Sequence, residues 1–278
     1  TSTYEIKFQA GSNPKIVIDE AVNIAKQADL IIFCGGDDTI SSGEGRDRCE
    51  LSLCGRQSEL MKKLSETGKP MIFIMIHGKP LAIKEESDMC ESVLSCWFGG
   101  ESGSQAICDV ILGKVNPAGR LPFSLPRRST MIPCYYSMLP GASNEYYEGK
   151  GNAFYPFGFG LSYTEFEYSD MTVKRTGKTD VKVSLKVKNI GKTAGDEVVQ
   201  IYVEDCESSV VTPLLLLKDF KRIFLRPNEE KQLEFNLDYN AFKLMNQDYK
   251  WVVEPGKFKI LAATSSRDIR LESEIELD

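Results

Sequence analysis

The sequence predicts an α/β domain with a doubly wound, mostly parallel sheet, followed by an antiparallel β-sandwich. Two patterns and the length point there. In the first half, short apolar runs closed by glycine alternate with stretches of helical spacing, the order of a parallel sheet with crossover helices. In the second half, apolar and polar residues alternate with a period of two and turn signals separate the runs. The 278 residues suffice for two separate cores.

Taken in order, residues 16–29 carry Ile18, Val22 and Ala25 at helical spacing, with Ala21 beside them. Residues 30–34 form an apolar run closed by Gly35 and Gly36, which suits a buried parallel strand. A helix is expected over 57–66, with Leu60, Met61 and Leu64 on one side and Gly68 as its stop. Residues 71–76 read as a second buried strand, 92–98 as a third, and 104–112 as a helix ending at Gly113. Sites in such sheets form at the carboxyl ends of the strands.

Farther on, Val181, Val183, Leu185 and Val187 alternate with polar residues, and 197–203, 232–237 and 257–262 repeat the pattern. Turn signals lie at 189–192, 226–228 and 255–256. The boundary is expected near 166–172, giving domains 1–165 and 166–278. Residues 116–165, rich in Pro, Gly and Tyr, read as an ordered connector of the first domain, packed against both domains. Trp251 is expected in the sandwich core, and the leucines 214–217 either in a core strand or on a docking face.

Composition excludes several classes. With 42% hydrophobic and 27% charged residues the chain is neither disordered nor fibrous. A net charge of -6 leaves no basic surplus to neutralise phosphates, so no nucleic-acid partner is expected. Runs as short as 71–76 do not span a bilayer, so no membrane partner is expected either. The eight cysteines include no Cys-x-x-Cys pair, and one histidine cannot complete an ordinary zinc set with them. They read as free thiols, Cys34, Cys96 and Cys108 acting as small hydrophobes within apolar runs, and this favours a reducing, cytoplasmic compartment.

Several segments combine. Ser42-Gly43-Glu44-Gly45-Arg46-Asp47-Arg48 is followed by Gln57, then by Trp97-Phe98-Gly99-Gly100-Glu101-Ser102-Gly103 and Asn116-Pro117-Ala118-Gly119-Arg120-Leu121-Pro122. Tyr155-Pro156-Phe157-Gly158-Phe159-Gly160-Leu161-Ser162-Tyr163 comes next. The sandwich adds Gly195-Asp196-Glu197-Val198-Val199-Gln200 and Trp251-Val252-Val253-Glu254-Pro255-Gly256. In this order and spacing they closely resemble the second and third domains of family 3 glycoside hydrolases, the β-glucosidase and β-xylosidase family.

The resemblance implies an α/β sandwich domain followed by a fibronectin type III-like (immunoglobulin-like) domain. It implies retaining hydrolysis of terminal β-linked sugars, with a β-glycoside or oligosaccharide as substrate and no metal or organic cofactor. It also implies a partner: an amino-terminal (β/α)8 domain, in the same protein or a separate chain, which carries the nucleophilic aspartate. The chain is thus expected to be part of a longer protein, lacking the opening strand of its first domain and inactive by itself. The sequence leaves homo-oligomer formation open.

Retaining glycosidases use two carboxyl groups about 5–5.5 Å apart, a nucleophile and an acid that later acts as base. Glu44 is the expected acid/base, because the resemblance places it there and a loop after a strand can reach a neighbouring surface. Gly43 and Gly45 let that loop bend. Arg46 is a candidate for a sugar hydroxyl, and Asp47 and Arg48 either pair with each other or anchor the loop. Glu50 is the competing carboxylate. Glu101 either binds a sugar beside the start of a helix or merely complements the helix dipole.

His77, without a paired Ser or Cys, reads as a structural histidine. Gly35 and Gly36 lack the full nucleotide-binding fingerprint. Trp97, Tyr135, Tyr136, Tyr146 and Tyr147 either stack on sugar rings or pack internally. The alternative to the enzyme is a non-catalytic two-domain module that binds carbohydrate or a partner.

Overall fold

The computed structural model describes residues 14–38, 40–139, 145–146, 149–150 and 152–278, of which 14–16, 145–146 and 149–150 are described by backbone alone. The chain forms two compact units: Thr1–Cys108 with Pro126–Ile132, and Asp109–Leu125 with Pro133–Asp278.

The first unit is built on three parallel strands in the order β1-β2-β3: β1 (Ile31–Gly36), β2 (Met71–Ile76) and β3 (Ser92–Ser95). Helices α1 (Pro14–Ala25), α2 (Gln57–Ser65) and α3 (Lys84–Asp88) precede the three strands in turn. Ile18, Ala21 and Ala25 of α1 and Leu60, Met61 and Leu64 of α2 share one buried cluster with Phe33, Phe73 and Met75 of the sheet. Phe33 pairs with Phe73 across the strands, ring edge to ring face at 5.6 Å. The burial of the Ile, Leu, Met and Phe side chains here, each about 1.5–3 kcal/mol, is what holds helix to sheet.

Three details differ from expectation. β1 runs on through Gly35 and Gly36, which pair with Met75 and Ile76. Gly36 has φ +128, and a Cβ there would lie 1.9 Å from the Ile76 carbonyl oxygen, so only glycine lets the strands stay paired this far. β3 stops at Ser95, short of Trp97, whose φ of +53 breaks the extended backbone. α3, Lys-Glu-Glu-Ser-Asp, has no apolar stripe to reveal it; it is fixed by a buried Glu86 that accepts from the Ser58 hydroxyl at 2.5 Å. A fourth helix, α4 (Gly103–Ile111), follows the sheet.

Two short paired segments, β4 (Glu145–Tyr146) and β5 (Gly149–Lys150), precede the sandwich. One sandwich sheet has the order β10-β7-β6, comprising β6 (Phe166–Arg175), β7 (Val181–Asn189) and β10 (Glu230–Leu237). The other has the order β14-β13-β8-β9, from β8 (Gly195–Asp205), β9 (Leu216–Leu225), β13 (Gly256–Ala263) and β14 (Ile269–Leu277). Val181, Val183, Leu185 and Val187 face inward against Val199, Ile201, Phe258 and Ile260. The residues between them point outward, as the two-residue period requires.

Helix α5 (Tyr239–Phe242) and a small ribbon of β11 (Leu244–Met245) and β12 (Trp251–Val252) lie outside both sheets. This corrects the expectation for Trp251, which is 55% exposed, with the Lys243 ammonium 4.9 Å from its ring centre. The ribbon carries it away from the core, against which Val253 packs instead. Leu215 and Leu217 pack beside Tyr202, whereas Leu214 is exposed.

The described connector residues within 116–125 and 133–165 fall in the second unit and bond to the sandwich there. Asn116 donates to the Ala194 carbonyl at 3.1 Å and accepts from Ser162 and Tyr163 at 3.0 and 2.8 Å. Gln200 of β8 donates to the Gly158 and Thr264 carbonyls at 3.1 and 2.6 Å. Arg120 and Glu197 form a buried ion pair at 3.0 Å, and the Tyr168 hydroxyl donates to the same carboxylate at 3.0 Å. Burial pushes the Glu197 carboxyl above its ordinary value despite the Arg120 charge. These contacts account for Asn116, Arg120, Glu197 and Gln200 of the connector and sandwich motifs as packing residues.

All eight cysteines are free thiols, but Cys34 and Cys108 are exposed rather than buried. Among the described residues no helix is long and apolar enough to cross a membrane.

Candidate active site

The carboxyl ends of β1, β2 and β3 open into three loops that meet. Gly78, after β2, has no room for a side chain: a Cβ would lie 2.3 Å from the Ser42 hydroxyl of the first loop and 2.7 Å from the Phe98 ring of the third. The ends of the strands therefore form one surface, where sites in parallel sheets are found.

Glu44 stands on the first of these loops. The Arg46 N–H donates to the Gly43 carbonyl at 3.1 Å and closes a turn with Glu44 and Gly45 at its centre. Gly45 has φ +68, a region costly to most side chains, and the carboxylate beside it is exposed.

The loop is tied down on both sides of that turn by Asp37, which directly follows β1. The Asp37 side chain is 0% exposed. Its Oδ2 accepts from the Lys79 ammonium at 3.1 Å, and Lys79 also donates to the Ser41 carbonyl at 2.9 Å. The Ser41 hydroxyl donates to Asp37 Oδ1 at 3.4 Å, and Arg48 Nη1 lies 3.6 Å from the same oxygen. A buried carboxylate is tolerable only with such partners. Asp38, next in sequence, accepts from the Ile40 and Ser41 N–H groups, which hold its carboxyl below the usual range.

Of the other expected residues, Arg46 and Asp47 are exposed near Glu44, and Arg48 is turned to Asp37 as a loop anchor. Glu50 is exposed in the irregular stretch before α2. Glu101 is exposed in the turn before α4.

His77 is fully buried. Its Nδ1–H donates to the Lys79 carbonyl at 2.8 Å, since a carbonyl can only accept, so Nε2 accepts from the Ser95 hydroxyl at 2.8 Å. Burial pushes its pKa below the ordinary value, and the ring is a neutral brace. Trp97 rests on it, ring centres 4.5 Å apart. Tyr136 stacks on Phe157 at 4.2 Å and is packing, whereas Tyr135 is exposed. The Tyr146 side chain and Tyr147 lie outside the described residues.

Sequence reasoning did not single out Asp37 or Lys79, and gave Gln57 no role. The available signal was position, since Asp37 and Lys79 follow buried strands at the functional end of the sheet. Among the described residues no group of three or more His, Cys, Asp and Glu is arranged to hold a metal ion.

Comparison with known proteins identifies the relatives of this arrangement. Residues 3–163 match the family model described as the glycosyl hydrolase family 3 C-terminal domain, and residues 197–266 match the fibronectin type III-like domain. The chain is 38% identical over 274 residues to a periplasmic beta-glucosidase of Salmonella typhimurium, covering 93% of this chain and 36% of that protein. It is 40% identical over 255 residues to a beta-xylosidase of Formosa agariphila, covering 89% of this chain and 35% of that one. The crystal structure of a beta-glucosidase from Listeria innocua in complex with glucose superposes with a TM-score of 0.90 at 29% identity, over 96% of this chain and 39% of the other. The chain thus spans little more than a third of the length of these relatives. With the first family model covering more than half of its residues, the chain belongs to glycoside hydrolase family 3.

Proposed function

We propose that this chain supplies the general acid/base to a retaining, exo-acting β-glycosidase of the β-glucosidase or β-xylosidase type. The observation that carries the proposal is the placement of Glu44, in a family 3 chain, at the tip of a turn on the functional end of the sheet. The nucleophile belongs to a (β/α)8 domain outside this chain, and the relatives' greater length leaves room for one. In the first step Glu44 protonates the leaving oxygen while the nucleophile takes the sugar. In the second it removes a proton from the attacking water.

Arg46 and Asp47 are exposed beside Glu44 and serve as hydrogen-bonding partners for substrate hydroxyls. Glu101 is a further sugar-contacting group. Both glucosides and xylosides fit the names of the relatives. The domain division at 165/166 belongs to this reading, with β6 as the first strand of the fibronectin type III-like domain.

The test is Glu44→Ala in the full-length protein. Hydrolysis of glycosides with poor leaving groups should fall about 10²–10⁴-fold, the usual contribution of a positioned acid or base. An activated aryl leaving group with azide should restore much of the rate, because neither then needs the missing proton transfer. Full activity of the variant on poor leaving groups would overturn the assignment.

A further inference from the structure

We infer that Asp37 is a positioning residue for Glu44, acting through Lys79 and Arg48 to fix the loop that presents the carboxylate. The inference rests on the reading of Glu44 as acid/base. Both flanks of the Glu44 turn converge on this one carboxylate: Ser41 lies three residues before Glu44, Arg48 four after, and each contacts Asp37. Lys79 completes the fixture from the next strand-end loop, bridging Asp37 Oδ2 and the Ser41 carbonyl. The Gly78 N–H, at 3.4 Å from Oδ2, adds backbone from that loop.

The geometry makes charge, not shape, the critical property of Asp37. Without its negative charge the Lys79 and Arg48 cations would face each other across the same site, and like charges at such distances repel. Arg48 Nη1 is buried without a hydrogen-bond partner, so the Asp37 charge is its main compensation. Repulsion would move the two flanks of the turn apart and shift Glu44 with them. A displacement of about 1 Å at a catalytic group can cost about 10²-fold in rate.

The experiment compares Asp37→Asn, Lys79→Met and Glu44→Ala in the full-length protein. Each is assayed with a poor alkyl leaving group and with an activated aryl leaving group, the latter with and without azide. Thermal melting of each variant reports folding. For Asp37→Asn we expect kcat on the poor leaving group to fall about 10- to 100-fold with little change in KM. The loss should be several-fold smaller on the activated substrate and largely recovered with azide. Lys79→Met should show the same pattern more weakly, and it remains a test should Asp37→Asn fail to fold.

A structural role alone would reduce both substrates by the same factor, without azide rescue. That outcome, or unchanged kinetics in both variants, overturns the inference. Glu44→Ala separates the two claims. If it lacks the leaving-group dependence, the acid/base reading fails. If it shows the dependence while Asp37→Asn and Lys79→Met do not, the positioning role alone fails.

Discussion

The side chain of Gln57 holds both backbone polar groups of Gly36: the Gly36 N–H donates to Oε1 at 2.7 Å, and Nε2 donates to the Gly36 carbonyl at 2.8 Å. Nε2 also reaches the Cys54 carbonyl at 3.1 Å, so the first turn of α2 is stitched to the end of β1. The site loop leaves the sheet from this point, one residue before Asp37. Gln57→Leu strands these groups without partners and should destabilise the α/β unit by about 1–3 kcal/mol. Gly36→Ala, which must displace the Ile76 carbonyl, should cost more, about 4 kcal/mol or above. The two tryptophans fall one in each unit, so Trp97 fluorescence in a Trp251→Phe background reports the relevant transition in urea.

His77 gives the α/β unit a predictable acid response. Its pKa in the folded chain is lowered from 6.5 by burial, so the unfolded chain binds a proton first as pH falls. The stabilising effect of the neutral ring is complete above about pH 6.5 and is lost progressively below it, toward the folded value, at up to about 1.4 kcal/mol per pH unit. His77→Asn, whose amide can still donate to the Lys79 carbonyl, should flatten that part of the stability curve. Unfolding midpoints between pH 5 and pH 8, followed by Trp97 fluorescence, check both statements.

The ion pair of Arg120 and Glu197 is buried, and removal of one partner leaves the other charge stranded. Arg120→Met should destabilise the sandwich unit by about 3–5 kcal/mol at neutral pH. The Glu197 carboxyl already has a raised pKa, and loss of Arg120 raises it further, so it is neutralised more easily as pH falls. The variant's deficit should therefore be smaller at pH 5 than at pH 8. Melting followed by Trp251 fluorescence tests the difference. Glu197→Gln can still accept from Tyr168 but strands the Arg120 guanidinium, which does not deprotonate, so its deficit should be as large and should not shrink at pH 5.

Gly45 separates backbone strain from packing. Its φ is +68, yet a Cβ there meets nothing within 4 Å. Gly45→Ala should lower the proposed hydrolysis by the full-length protein through the altered turn while leaving the melting temperature within about 2 °C, since the cost of roughly 1 kcal/mol falls on a loop. Gly45→Asn, which tolerates this φ, should retain more activity. Paired assays of rate and melting distinguish these outcomes.

Residues whose role is local were legible in the sequence. β2 occupies 71–76 as expected, because an unbroken apolar run bounded by Pro70 and His77 admits little else. The inward set Val181, Val183, Leu185 and Val187 followed from the period of two alone. The exposed turn at Glu44 was foreshadowed by its flanking glycines. Asp37 was not legible as a hub, because its partners Lys79 and Arg48 come from two different loops and only the parallel pairing of β1 and β2 brings them together. Trp251 was misplaced for a similar reason: hydrophobicity does not say which strands leave the main sheets. α3 escaped notice because a five-residue charged helix has no periodicity to read.

The crowding around Gly78 bears on how the site loops open. With Ser42 and Phe98 packed where a Cβ would stand, the first and third loops cannot relax without disturbing the second. They should breathe as one cooperative opening rather than three, a single step on the ladder of partial unfolding. Amide protons of Ser42, Arg46 and Cys96, all hydrogen-bonded to backbone carbonyls, would then share one opening free energy despite their separation in sequence.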